Sequence, residues 1–211
     1  MKRFDVYFAV VAITSIASIL GYQYNNTHKN TMIPASTKIN ISNKNNSNPK
    51  HERVTSYGAG LTEGFFNNRG LIYDDKEQYD LAIQDFDKAI ELKPDYAEAF
   101  HNRGLTYYDK GQYERAIQDY DKAIQLKPDF ALPFNARGNA YVDKGQYDLA
   151  IQDYDKAIQL RPDALPFNGR GNAYAAKGQY DQAIQDYDKA IRLKPDFAAA
   201  INNRNIAIKR R

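Results

Sequence analysis

Four stretches of the chain repeat one another at a fixed spacing, and that period constrains the fold more than composition does. Gly70, Gly104, Gly138 and Gly171 stand in register, as do Ala82, Ala116, Ala150 and Ala183. Ala89, Ala123, Ala157 and Ala190 form a third row, and Pro94, Pro128, Pro162 and Pro195 a fourth. The spacing is 34 residues and shortens once to 33. A unit of that length cannot bury its own apolar face, so successive units must stack and share a core. The product is a solenoid, which offers an extended surface for binding.

Each unit reads as two amphipathic helices. In the second, Phe100, Gly104, Leu105 and Tyr107 fall on one helical stripe between about Ala97 and Lys110. Tyr113, Ala116, Ile117, Tyr120, Ala123, Ile124 and Leu126 continue a three-and-four spacing as far as Lys127. Gly111 between them suits a left-handed stop, and Pro128 lacks the N–H that would extend the second helix. Small residues such as Gly104 and Ala116 allow the helices to approach, while Phe100, Tyr107 and Tyr120 fill the space between hairpins.

The order Phe100, Gly104, Tyr107, Ala116, Tyr120, Ala123 and Pro128 resembles the tetratricopeptide repeat. The same seven anchors recur at Phe66, Gly70, Tyr73, Ala82, Phe86, Ala89 and Pro94, and at Phe134, Gly138, Tyr141, Ala150, Tyr154, Ala157 and Pro162. A fourth set is Phe167, Gly171, Tyr174, Ala183, Tyr187, Ala190 and Pro195. The resemblance covers roughly the last two-thirds of the chain. It implies an all-α fold, a right-handed superhelix of four hairpins plus a capping helix. The domain would span residues 58–211, with repeats at about 63–96, 97–130, 131–163 and 164–197 and the cap at 198–211. Two departures stand out: Phe replaces a common Trp, and Arg precedes the anchor glycine where Leu is commoner.

That arginine has a partner in the pattern. Arg69, Arg103, Arg137 and Arg170 are each followed 16 residues later by Asp85, Asp119, Asp153 and Asp186. Counting outward from the hairpin turn puts each Arg opposite its Asp, which predicts an ion-pair ladder along the stack. Arg204 continues the row, as expected if each Arg also reaches the Asp of the preceding hairpin. The competing reading is an arginine row that grips acidic ligands.

The ends and loops carry further expectations. Ala198, Ile201, Arg204 and Ile208 echo a first helix and predict a cap, with Lys209, Arg210 and Arg211 complementing its dipole and favouring water. Pro133 and Pro166 suit helix starts, and Asp95 with Glu98 suggests a capping box in the second repeat. The fourth repeat has lost its residue in the loop before its first helix, between Pro162 and Arg170. Slightly altered packing between the third and fourth hairpins follows.

Ahead of the repeats, Met1 to Arg3 is basic and Val6 to Leu20 is nearly unbroken apolar sequence. Residues 1–22 therefore read as a membrane anchor or a signal peptide, the anchor being the preferred reading, with the rest of the chain on the extracytoplasmic side, or secreted if the leader is removed. Residues 23–57 are rich in Asn, Ser and Lys and read as a disordered tether. Residues 1–62 hold 7 of the 29 basic and 2 of the 26 acidic residues, so the repeats carry a slight negative excess. That is a poor footprint for RNA or DNA. With no cysteine, disulfides and thiolate metal sites are excluded.

Chemistry is sparse. His28, His51 and His101 are isolated, no acid stands at metal-ligand spacing from His101, and no phosphate-cradling glycine loop occurs. Neither a cofactor nor a catalytic mechanism is expected. The family resemblance instead implies an inner groove, lined by first helices, for a protein or peptide partner. Asn67, His101, Asn135, Asn168 and Asn202 are assigned to that groove, with Leu71, Leu105, Asn139 and Asn172 one turn on. Asn amides can pair with a peptide backbone or can satisfy neighbouring groups of the scaffold. Relatives that clamp a C-terminal carboxylate use a groove lysine that is missing here. The leading expectation is a membrane-tethered interaction scaffold; the alternative is an envelope element that associates with itself.

Overall fold

The computed structural model describes residues 61–211. The expectations for the leader and the tether fall on residues outside that range. Among the described residues every regular element is an α-helix: α1 Glu63–Asp75, α2 Tyr79–Leu92, α3 Ala97–Asp109, α4 Tyr113–Leu126, α5 Ala131–Asp143, α6 Tyr147–Leu160, α7 Ala164–Ala176, α8 Tyr180–Leu193 and α9 Ala198–Arg210. No helix there is long and apolar enough to cross a membrane.

The hairpin turns follow from a repeated C-terminal motif. The Gln112 N–H donates to the Tyr107 carbonyl at 2.8 Å and the Gly111 N–H to that of Tyr108 at 2.8 Å, which satisfies carbonyls left open at the end of α3. Gly111, Gly145 and Gly178 take the left-handed conformation this requires, with φ of 71°, 71° and 75°. In the first repeat Glu77 does the same at φ 58°, without glycine's freedom.

Inside each hairpin an aromatic ring rests on the anchor glycine. A Cβ added at Gly104 would lie 2.6 Å from the Tyr120 ring, and the same relation joins Gly70 to Phe86, Gly138 to Tyr154 and Gly171 to Tyr187. Tyr120, Tyr154 and Tyr187 are consequently among the most deeply buried large side chains. Tyr154 is gripped from both sides, because Gly169 of the next repeat is equally close to its ring.

Neighbouring hairpins pack first helix to first helix as well as second helix to first. Helices α1, α3, α5, α7 and α9 touch in succession, whereas α2, α4, α6 and α8 have no comparable contact with one another. The stack therefore curves with the first helices on the inside.

The arginine row runs through this stack. Nε and Nη2 of Arg103 donate to both oxygens of Asp119 at 2.8 and 2.6 Å; Arg69 forks onto Asp85, Arg137 onto Asp153 and Arg170 onto Asp186 in the same way. The link to the preceding hairpin uses a different acid from the one expected. Nη1 of Arg103 reaches Asp87 at 2.5 Å, and Arg137 reaches Asp121, Arg170 Asp155 and Arg204 Asp188. Each acceptor lies two residues beyond the buried ladder aspartate, on the exposed side of its helix, within reach of the free corner of the guanidinium. Arg204 keeps only this second contact among the described residues, and its buried Nε has no acceptor. A separate row on the rim pairs Lys110 with Asp80, Lys144 with Glu114, Lys177 with Asp148 and Arg211 with Asp181. Such exposed pairs contribute little each.

The capping box does not form. Tyr96 takes the N-cap of α3 without a side-chain bond, the Ala97 N–H donates to the Asp95 backbone carbonyl at 3.0 Å, and Glu98 is held by Lys127 at 3.0 Å. Asp95 stands one residue too early. Pro133 and Pro166 occupy the third position of α5 and α7, still within the first turn, where no intrahelical acceptor awaits an N–H.

Candidate functional site

The residues assigned to the inner face stand at corresponding positions of the first helices, beginning with the fifth residue of each. Asn67 is buried, and its Oδ1 accepts from Nδ2 of Asn102 at 2.9 Å. Asn168 is likewise buried and accepts from Asn203, more loosely, at 3.5 Å. His101 is buried between the rings of Tyr120 and Phe130, with centroids 5.8 and 5.3 Å away, and its Nδ1 has no hydrogen-bond partner. Burial pushes its pKa down to about 4, with Glu98 opposing, so the imidazole is neutral at pH 7. Asn202 is exposed. Asn135 is half-buried, and its Oδ1 is buried without a donor.

One turn on, the amides are engaged by the scaffold. The Tyr154 hydroxyl donates to Oδ1 of Asn139 at 2.7 Å, and that of Tyr187 to Oδ1 of Asn172 at 2.9 Å. Nδ2 of Asn203 donates to Asn172 as well, at 3.0 Å. In the second repeat Leu105 stands in this position, and the buried Tyr120 hydroxyl has no acceptor.

Asn135 opens into a small crevice, with room for about one water. Ala131, Leu132, Ala157, Leu165 and Pro166 supply its apolar wall, and Arg161 and Asp163 its rim. It lies at the joint between the third and fourth repeats, where the loop is a residue short. The packing there differs slightly: α7 meets α5 more extensively than neighbouring first helices meet at the other joints. No group of three or more His, Asp or Glu side chains placed to hold a metal ion occurs among the described residues.

Models of the tetratricopeptide repeat match residues 70–111, 104–143, 131–163 and 164–197, which together span 70–197. The chain is a tetratricopeptide-repeat protein. Proteins of this family are in general scaffolds for protein interactions. Two crystal structures of MamA are similar in fold, one at 27% identity and TM-score 0.64 over 71% of this chain and 82% of that one. The thermophilic TPR protein TTC0263 of Thermus thermophilus is similar at 18% identity and TM-score 0.61, over 70% and 81% of the two chains. The first TPR of Spaghetti (RPAP3), bound to the HSP90 peptide SRMEEVD, is similar at 24% identity and TM-score 0.53, over 54% and 90%. No curated protein sequence matches the chain.

Within this tetratricopeptide array, sequence reasoning missed the tyrosine–asparagine bonds and the polar role of Asn102 and Asn203. The signal was present in part: Asn follows the anchor glycine only in repeats three and four, both of which carry a buried Tyr. A paired substitution tests the energetics. Tyr154→Phe leaves Oδ1 of Asn139 without its donor and costs about 1–2 kcal/mol, whereas Tyr120→Phe removes an unsatisfied hydroxyl and is neutral or stabilising by up to about 1 kcal/mol. Urea unfolding of the two variants beside the parent reads the opposite signs directly.

Proposed function

We propose that the protein is a non-enzymatic scaffold that captures an extended peptide or a partner helix along its inner face. The observation that carries this reading is Asn135, which lines an apolar crevice between the third and fourth repeats and whose side chain makes no hydrogen bond to the scaffold described above. Asn202 presents a second amide to solvent farther along. Asn67, His101, Asn139, Asn168 and Asn172 lie on the same face and shape the floor, their polar groups largely committed to neighbours. A domain of this fold is known with a peptide bound, the HSP90 peptide on the first TPR of Spaghetti (RPAP3). The basic, apolar leader favours tethering to a membrane with the array on the extracytoplasmic side; self-association into an envelope element is the second reading.

Pull-down from detergent-solubilised envelopes, using the full chain as bait, tests the proposal. The double variant Asn135→Ala, Asn202→Ala spares every side-chain hydrogen bond of the scaffold described above. Partner recovery should fall at least tenfold with the melting temperature unchanged. Equal recovery by parent and variant would remove the inner-face assignment.

A further inference from the structure

Helix α9 packs backward as a first helix does: Ala200 and Ala207 are buried against the preceding hairpin, like Ala99 and Thr106 of α3. Its other side, which in α3, α5 and α7 meets the second helix of the same hairpin, is uncovered among the described residues. Ile208 is 50% exposed where Tyr107, Tyr141 and Tyr174 are half-buried beside their second helices. The Arg204 side chain is 33% exposed, against 19%, 19% and 16% for Arg103, Arg137 and Arg170. Nη1 of Arg204 holds Asp188, whereas Nη2, the atom that in Arg103 completes the fork onto Asp119, donates to no described group and is not shut away with Nε. From Ala198 to Arg211 the chain carries Arg204, Lys209, Arg210 and Arg211 and no acid. Asn205 takes the place of the anchor glycines, and a Cβ at Gly104 would already lie 2.6 Å from the ring that covers it. A second helix with Phe or Tyr in that register therefore cannot seat on α9.

We infer that this side of α9 docks an acidic amphipathic helix of a partner protein, one in which a small residue directly follows the acid. The chain's own second helices show what lies against this side of a first helix: an aspartate for the arginine, with apolar residues on the same stripe. An acid-free, basic surface favours a negatively charged helix. The partner's carboxylate meets Nη2 of Arg204, and its apolar stripe covers Ile201 and Ile208. Asn205 sets the specificity by a clash: it admits Ala, Ser or Gly after the acid and rejects the Asp85-Phe86, Asp119-Tyr120, Asp153-Tyr154 and Asp186-Tyr187 pairs of this chain. The surface lies apart from the crevice at Asn135, and the inference stands independently of the inner-face reading.

The probe is a fluorescein-labelled peptide with the sequence of α8, residues 180–193, carrying Tyr187→Ala, capped at both ends and stapled across its solvent side, because so short a helix is marginal in water. Titrating the full chain into it should raise the anisotropy with a Kd of about 0.1 mM. The peptide with Tyr187 retained should bind at least tenfold more weakly, as should the alanine peptide with Asp186→Asn. In the full chain, Asn205→Gly should strengthen binding of the tyrosine peptide about tenfold. Ile208→Asp should abolish binding of the alanine peptide with the melting temperature unchanged, since the side chain it replaces is half exposed. Backbone amide shifts on titration should fall in α9. Absence of binding at 1 mM, a tyrosine peptide that binds as tightly as the alanine one, undiminished binding to Ile208→Asp, or shifts confined to the inner face would each overturn the inference. A concentration-dependent oligomer of the parent that Ile208→Asp disperses, seen by light scattering, would assign this side of α9 to a second copy and overturn it as well.

Discussion

Arg103→Leu is expected to cost about 3–5 kcal/mol of stability, because it leaves the carboxylate of Asp119 buried without its fork. Asp119 is 5% exposed, and burial pushes its carboxyl up even with the guanidinium pulling it down. Without Arg103 only the upward push remains. The carboxyl then takes up a proton more readily in the folded than in the unfolded chain, so the deficit should shrink as the pH falls from about 7 to 5. Arg69→Leu provides the internal comparison. Arg69 is more exposed and, among the described residues, forks onto Asp85 without a second acid, so its loss should cost less. Thermal melts of the parent and both variants at several pH values separate the effects. An Arg103→Leu protein as stable as the parent at neutral pH would mean that the ladder holds nothing together.

The second large effect comes from His101. Its folded-state pKa lies at about 4, below the ordinary value of 6.5, through burial against Tyr120 and Phe130 with only Glu98 opposing. The unfolded chain therefore binds a proton in that interval and the folded chain does not. The contribution is whole above about pH 6.5, drains away as the pH falls, and levels off below about 4, amounting to roughly 2–4 kcal/mol. His101→Asn places the residue type of Asn67, Asn135 and Asn168 in the slot and removes the titration. Its acid stability curve should be flatter than the parent's by that amount, and superimposable curves would show that protonation at this site is not linked to folding.

What could be read in advance divides along physical lines. Hairpins, turns and their order were legible because glycine, alanine, aromatic and proline anchors act within one repeat or between adjacent ones, and a period exposes them. The pairing of Arg103 with Asp119 was legible for the same reason. Its second partner was not: Asp85 and Asp87 recur with one period, and only the relative rotation of adjacent hairpins decides which meets the free corner of the guanidinium. Asn139 and Asn172 have the same ambiguity. A side-chain amide one turn beyond the glycine can face solvent or a buried hydroxyl, and Tyr120 opposite Leu105 breaks the correlation that would have distinguished them. The capping box failed through a displacement of one residue, finer than periodicity resolves.

The single residue missing before α7 has a consequence beyond local packing. An array of equivalent units offers an extended ligand several equivalent alignments, each displaced by one unit, and the ligand would be spread among them. Removing one residue makes one step unlike the rest, so a guest that recognises the difference can dock in only one alignment. A small deletion thereby turns a ruler with identical marks into one with a zero.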